Sequence, residues 1–350
     1  MASRTEFHTL QVAAVEPLTD DSAAVTFTVP AELGDVFAFA PGQSLTVKRG
    51  DERRSYSICA PAGRAPRIGV REVAGGAVSG WLVHEIRPGD AIEVQAPSGS
   101  FTPELTVPGH HVLIAAGSGV TPMLSIAASV LAANEESTVT LLYGNRRSDS
   151  VMFADDVADI KDAHPARMRL VHVLSREPQE VALFTGRLDA GKLRQLLPVS
   201  VDISDVDHWW LCGPFGMVTD ATDVLRDFGV PAAQIHRELF YVEEAPPAEV
   251  HHADTPVGPG AEVTVVLDGR SSTVVVGPDT AVLDGAQKVR PDLPFACKGG
   301  VCGTCRALVT HGEVRMQRNY ALEQSELDAG YVLTCQALPV TDTVTVDYDS

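Results

Sequence analysis

Cys297-Lys-Gly-Gly-Val-Cys302-Gly-Thr-Cys305, followed thirty positions later by Cys335, decides how the rest of this chain is read. Three thiolates spaced C-x4-C-x2-C on a glycine-rich loop, completed by a distant fourth, form the ligand pattern of a plant-type [2Fe-2S] cluster. Gly299, Gly300, Gly303 and Thr304 are small enough for the loop's amides to turn toward the sulfurs, and such amides help set the potential. Two plainer readings compete. Structural zinc prefers paired C-x2-C knuckles, and only Cys302 and Cys305 have that spacing. A disulfide staple suits neither six cysteines in 350 residues nor a start, Met1-Ala2-Ser3-Arg4, without an apolar leader. We therefore expect Cys297, Cys302, Cys305 and Cys335 to hold metal in a chain kept reduced in the cytoplasm.

Length and charge bound what else the chain does. At 350 residues it has room for two or three domains with cores of their own. No run approaches the ~18 apolar residues needed to span a bilayer, so a soluble protein is expected. The net charge of -19 disfavours nucleic acid and anionic membrane surfaces as partners, because like charges repel. An acidic exterior serves solubility, or docking to a basic protein, equally well.

Upstream, the first hundred residues read as short strands. Leu10–Val15, Ala24–Val29 and Ser44–Lys48 mix alternation with β-branched residues, and Pro41-Gly42, Gly50-Asp51 and Pro88-Gly-Asp90 punctuate them. This predicts a small antiparallel β-barrel. It carries Arg54-Ser-Tyr56-Ser57 and then Gly75-Gly76-Ala-Val78-Ser79-Gly80-Trp81-Leu82. An arginine for a phosphate, a ring to lie on an isoalloxazine and a hydroxyl to reach its reactive nitrogen suit a flavin. Glycine amides and Ser79, just before an apolar helix from Trp81 to Ile86, suit a pyrophosphate. An ordinary turn and an N-cap serine would be spelled with the same letters. It is the two motifs together, in this order, that favour the flavin.

Beyond Pro103 strands alternate with helices, the mark of a parallel α/β sheet. His111–Ala116 is a continuous apolar run, and Gly117-Ser-Gly119-Val-Thr121-Pro122 leads into a helix from Met123 to Ala132 that Thr121 is placed to cap. Proline stands where a G-x-G-x-x-G fingerprint would have its third glycine. Anion binding at a strand-loop-helix junction does not depend on that glycine. Further strands at Val139–Tyr143, Arg169–Leu174 and His208–Cys212 end at Asn145-Arg146-Arg147, Ser175-Arg176 and Cys212-Gly213-Pro214. Arginines at two neighbouring strand ends suit a 2'-phosphate and favour NADP(H) over NAD(H), although exposed surface arginines would look the same. Cys212 has no neighbouring base to make it a nucleophile, and reads as a small residue leaving room for the nicotinamide.

The stretch after Phe240 is rich in Pro, Gly and acidic residues and reads as a tether. Its single E-x-x-H, Glu249 to His252, lacks the second copy that a di-iron bundle needs. Strands restart at Glu262–Leu267 and Ser272–Val276 around an Asp268-Gly269 turn, a helix is expected from Ala281 to Val289, and another strand over Arg306–Thr310 follows the cysteine loop.

The succession of flavin motif, nucleotide motif and ferredoxin-type loop resembles the ferredoxin-NADP reductase superfamily with a C-terminal ferredoxin, as found in oxygenase reductases. Within that group the likeness is greatest to the reductase components of phenylacetyl-CoA epoxidases. It is carried by Tyr143–Phe153, Val173–Glu180, Pro294–Arg306, Asn319–Glu323 and Ala329–Cys335. The resemblance implies three folds: an FAD-binding barrel over 1–104, an NADP(H)-binding α/β domain over 105–243, and, after a linker at 244–260, a β-grasp [2Fe-2S] ferredoxin domain over 261–350. It implies FAD held by Arg54, Tyr56, Ser57, Gly76, Val78 and Ser79. NADPH is expected against Gly117, Thr121, Arg146, Ser175, Arg176 and Gly213, with Phe240 supplying an aromatic near the flavin. Tyr56, Ser57 and Cys212 are the residues expected at the reacting centre.

Electron counting gives the mechanism. A nicotinamide releases two electrons together, a [2Fe-2S] cluster accepts one at a time, and a flavin mediates between them. No cysteine has a histidine two residues on, as a Rieske site needs, so oxygen chemistry belongs to a partner. The resemblance names that partner as the di-iron oxygenase component of a phenylacetyl-CoA epoxidase. Reductases of steroid hydroxylases or acyl desaturases share the architecture, and a metal-binding or redox-sensing module without turnover is the alternative of another class.

Overall fold

The computed structural model describes residues 6–50, 52–240, 260–322 and 324–350. The chain divides into two compact units, one spanning 7–241 and the other built from residues beyond it. The tether expected at 244–260 lies outside the described residues except for Gly260.

The first unit begins with β1 (Phe7–Thr19), β2 (Ser22–Thr28), β3 (Ser44–Arg49), β4 (Glu52–Ser57), β5 (Arg67–Arg71), helix α1 (Ala77–His84) and β6 (Ala91–Gln95). The strands form one antiparallel sheet in the order β4-β3-β6-β1-β2-β5. Its two edges meet through an Ile58–Ile68 bridge, and the Cys59 amide donates to the Arg67 carbonyl at 2.8 Å. Closure leaves a barrel without free edges, filled by inward residues such as Leu10, Phe27, Leu45, Ile68 and Val94. α1 starts four residues earlier than its apolar letters suggest. Gly76 is extended and ends the preceding turn, so Ala77 through Gly80 form a first helical turn whose Val78 faces the core with Leu82, one turn on.

There follow β7 (His110–Ala116), α2 (Val120–Ala133), β8 (Thr138–Asn145), α3 (Ala154–Ala163), β9 (Met168–Leu174), α4 (Ala190–Ser200), β10 (His208–Gly213), α5 (Phe215–Asp227) and β11 (Ile235–Leu239). The sheet is parallel, in the order β11-β10-β7-β8-β9. Strand order therefore reverses between β7 and β10, and the crevice outside their carboxyl ends is where such sheets bind ligands. Barrel and sheet share a seam within this unit. Arg67 of β5 ion-pairs with Asp156 of α3 at 2.6 Å and also with Glu16, and the Ser125 hydroxyl of α2 donates to the Ala60 carbonyl at 2.6 Å.

The second unit has β12 (Ala261–Leu267), β13 (Arg270–Val276), α6 (Val282–Ala286), β14 (Arg306–His311), β15 (Val314–Met316), α7 (Gln324–Asp328), β16 (Tyr331–Leu333), β17 (Ala337–Pro339) and β18 (Thr343–Asp347). A five-stranded mixed sheet in the order β13-β12-β18-β14-β16 packs on α6, with a small β15-β17 pair beside it. Asp268 and Gly269 both have positive φ, 53° and 66°, which is what a two-residue turn between β12 and β13 requires. α6 is shorter than expected. After Ala286 the chain continues in i→i+3 turns, with Lys288 donating to Gly285 and Val289 to Ala286.

Candidate functional site

The cysteine loop joins α6 to β14. Lys298, Gly300 and Gly303 all have positive φ (51°, 79° and 67°), and a chain that repeatedly turns left-handed presents its amides to the inside of the loop. The amides of Gly299, Val301 and Cys302 reach the Cys297 sulfur, and the Gly300 amide reaches that of Cys335. A side chain at Gly300 would be strained by its positive φ and tightly placed, its Cβ 3.1 Å from Gln336 Cγ and 3.3 Å from the Arg318 carbonyl. Lys298 ties the loop to α6 through Asp284 at 2.7 Å and Gln287 at 2.8 Å.

The sulfurs pair two and two: Cys297 with Cys302, and Cys305 with Cys335, each pair within hydrogen-bonding reach. Among the described residues no three His, Cys, Asp or Glu side chains converge on a point that would hold a single metal ion. Two thiolates for each of two irons is the donor set of a plant-type cluster, so the residues fit that group. Cys305 and Cys335 are buried, Cys302 is partly covered, and Cys297 is exposed, so the site is open to solvent on the Cys297 side.

In the barrel, Ser57 ends β4 and is buried, whereas Arg54 on the same strand is exposed and ion-paired with Glu52 at 2.7 Å. Tyr56 lies between them. Burial pushes its phenol up, opposed by the charge of Arg54. No side chain caps α1 behind Gly76, so its first-turn amides are available to an anion, which fits a flavin pyrophosphate. The Ser79 hydroxyl accepts from the Val73 amide at 3.1 Å and donates to the Gly76 carbonyl at 3.4 Å. It shapes the turn from within, and Val78 turns its side chain into the core.

At the switch point, Gly117–Gly119 form a single 3-10 turn that runs directly into α2. The helix is therefore capped by Gly119, and the expectation that Thr121 caps it is corrected. Thr121 is buried inside the helix, and its hydroxyl donates back to the Ser118 carbonyl at 2.7 Å. Gly119 is required by contact: a Cβ would sit 2.1 Å from the Cys212 carbonyl oxygen. Gly117 has φ +54°, and the Arg71 guanidinium lies 3.3 Å from where its Cβ would be. The absence of a side-chain cap at α2 leaves its first-turn amides available and fits a nucleotide phosphate.

Arg146 and Arg176 are brought together. The parallel ladder continues past β8 and β9, with the Ser175 amide donating to the Asn145 carbonyl at 2.9 Å and the Arg176 amide to the Arg146 carbonyl at 2.8 Å. Both side chains are exposed. Glu177 clasps the two loops by accepting from the Ser148 amide and hydroxyl at 2.8 and 2.9 Å.

Cys212 is fully buried, and its thiol is pushed well up by burial and then by the charge of Glu238. It forms an apolar floor at the end of β10, beside Gly213. Glu238, on β11, is the residue that sequence reading passed over. Its Oε2 accepts from the Ser57 hydroxyl at 3.1 Å. Burial pushes its carboxyl up to about 8, partly offset by that hydrogen bond. Ser57 and Glu238 are 181 positions apart, and only the seam between barrel and sheet joins them. Phe240, two residues on, is exposed.

A barrel with an open helix terminus, a parallel sheet with a glycine-lined switch point and a four-thiolate loop together define a flavin- and iron-sulfur-dependent oxidoreductase. Residues 9–102 match the oxidoreductase FAD-binding domain family, 113–223 the oxidoreductase NAD-binding domain family, and 265–340 the 2Fe-2S iron-sulfur cluster binding domain family. The chain is 42% identical over 355 residues to a component of the 1,2-phenylacetyl-CoA epoxidase of Escherichia coli, covering 99% of each. It is 36% identical to the ferredoxin reductase component of 3-ketosteroid-9-alpha-monooxygenase from Mycobacterium tuberculosis, covering 97% of this chain and 95% of the other. Phthalate dioxygenase reductase superimposes over 97% of this chain and 98% of its own with a TM-score of 0.60, and at 22% identity shows the shared fold. The chain belongs to the family of oxygenase reductase components that carry FAD, a pyridine nucleotide site and a [2Fe-2S] cluster. Among the described residues no helix is long and apolar enough to cross a membrane.

Proposed function

We propose that this chain is the reductase of a phenylacetyl-CoA epoxidase, taking electron pairs from NADPH and delivering them singly to a di-iron oxygenase component in the cytoplasm. The observation that carries the one-electron outlet is the two-and-two arrangement of Cys297, Cys302, Cys305 and Cys335 with one side exposed. The epoxidase as acceptor is supported by 42% identity over the full length of a component of that enzyme.

When bound, nicotinamide, flavin and cluster supply hydride transfer, storage of two electrons, and one-electron exchange. The chain's own residues bind, orient and hold protons. Backbone amides at the start of α1 and the turn at Gly117–Gly119 receive phosphates. Arg146 and Arg176, side by side and exposed, receive a 2'-phosphate. Cys212 and Gly213 keep the ring's face free of bulk, and the Ser57 hydroxyl is held toward the reacting centre by Glu238, which retains its own proton to about pH 8. Tyr56 offers a flat, half-buried ring beside Ser57. The division into 1–104, 105–243, a tether at 244–260 and 261–350 is part of this proposal.

The test is reconstitution. The loaded full-length chain, mixed with the oxygenase components of a phenylacetyl-CoA epoxidase, is expected to support NADPH-dependent epoxidation. Reduction of a one-electron dye without any coupling to those components, together with coupling to a steroid hydroxylase oxygenase, would refute the choice of partner.

A further inference from the structure

Gln336 follows the fourth cysteine, and its side chain is buried, with 7% of the residue exposed. Its Nε2 donates to the Lys298 carbonyl and to the Cys335 carbonyl, both at 3.0 Å, and stands 3.6 Å from the Cys335 sulfur. The residue is held at both ends of its backbone: its amide donates to the Leu333 carbonyl at 2.8 Å, and its carbonyl accepts from the Gln317 amide at 2.9 Å. Gly300 lies against its stem: a Cβ there would come within 3.1 Å of Gln336 Cγ. Lys298, whose carbonyl it holds, is one of three non-glycine residues with positive φ among the described residues.

We propose that Gln336 tunes the potential of the iron-sulfur site by donating a side-chain hydrogen bond to the Cys335 sulfur. The inference rests on the assignment of the four cysteines as ligands. One electron arrives and one leaves, no bond is made or broken in the protein, and no proton moves. The added electron makes the ligand sulfurs more negative, and a fixed N–H dipole stabilises a charged acceptor more as its charge grows. An amide that carries two hydrogens and faces three acceptors favours the one that becomes most anionic. Backbone amides, which any loop of this shape supplies, already serve Cys297. The amide of Gln336 belongs to a side chain, so a substitution can remove it while the loop's own backbone stays.

The test uses the full-length chain loaded with flavin, iron and sulfide, in wild type and in Gln336→Leu and Gln336→Met, neither of which has a donor. Each is equilibrated anaerobically with a reference dye, and the reduced cluster is counted by electron paramagnetic resonance. The expected result is a shift of about tenfold toward the oxidised cluster in both variants, which for one electron is about 59 mV more negative. A variant that carries the cluster and shows an unchanged or more positive equilibrium overturns the proposal. Loss of the cluster from both variants, under conditions that load wild type, overturns it too, because Gln336 would then serve assembly and not potential. A wild-type chain without a [2Fe-2S] signal would instead overturn the ligand assignment.

Discussion

Replacing Glu238 by glutamine is expected to remove a pH dependence from the stability of the first unit. In the folded chain this carboxyl holds its proton to about pH 8, chiefly because it is buried, against an ordinary value of 4.5. The unfolded chain releases that proton above pH ~4.5, while the folded chain keeps it. Glu238 is therefore neutral and costs least below 4.5. Its contribution is lost progressively as pH rises to about 8 and stays constant above that. At ~1.4 kcal/mol for each pH unit the change across the window has a ceiling of roughly 5 kcal/mol. A glutamine has the same shape, accepts from the Ser57 hydroxyl as the carboxyl does, and titrates nowhere. Urea denaturation of the full-length chain at pH 5 and pH 8 should show wild type losing stability relative to Glu238→Gln by a few kcal/mol at the higher pH. Parallel slopes for the two proteins would refute both the raised proton affinity and the role given to this residue.

Removing Arg146 or Arg176 is expected to raise the KM for NADPH about tenfold or more, the loss of a hydrogen bond to a charged group, while steady-state kinetics with NADH change little; equal losses with both nucleotides would deny a 2'-phosphate site. Cys335→Ser should abolish the visible and paramagnetic signature of the cluster and reduction of a one-electron protein acceptor, yet leave NADPH-dependent flavin bleaching in stopped flow. Gly119→Ala would press a methyl group to 2.1 Å from the Cys212 carbonyl. It should lower stability by roughly 2–3 kcal/mol in thermal melts, and an unperturbed melting curve would mean that the loop does not sit against β10.

The parts of this molecule that were legible in its letters are those decided locally. The spacing of Cys297, Cys302 and Cys305 announces a 2Fe-2S domain because the three lie on one loop, and the apolar run at His111–Ala116 announces a parallel strand because both faces are covered. Local signals failed where backbone geometry competes with side-chain chemistry. Thr121-Pro122 spells a helix start, yet the 3-10 turn at Gly117–Gly119 had already begun the helical path, and the hydroxyl turned back on it. Ser79 and Gly80 read as loop, yet the buried pair Val78 and Leu82 needs a helix around them. What could not be read at all was the meeting of Ser57 with Glu238. Nothing near either residue marks the pair, and closure of the barrel onto the parallel sheet is what creates it.

That meeting bears on why two kinds of protein surface occur in one chain. Moving a pair of electrons as hydride leaves a proton to be managed, and under the proposed function the residues at the Ser57 end suit that: a hydroxyl, and a carboxyl made neutral by burial, which adds no fixed negative charge there. Moving one electron to or from sulfur-ligated iron involves no proton, and around Cys335 the sulfurs are served by N–H groups that do not titrate. A titratable donor there would tie the potential to pH, and so make delivery to an oxygenase depend on conditions that the hydride step tolerates. On the proposed roles of these residues, the use of amides at one site and a proton-holding pair at the other follows from the number of electrons each must pass.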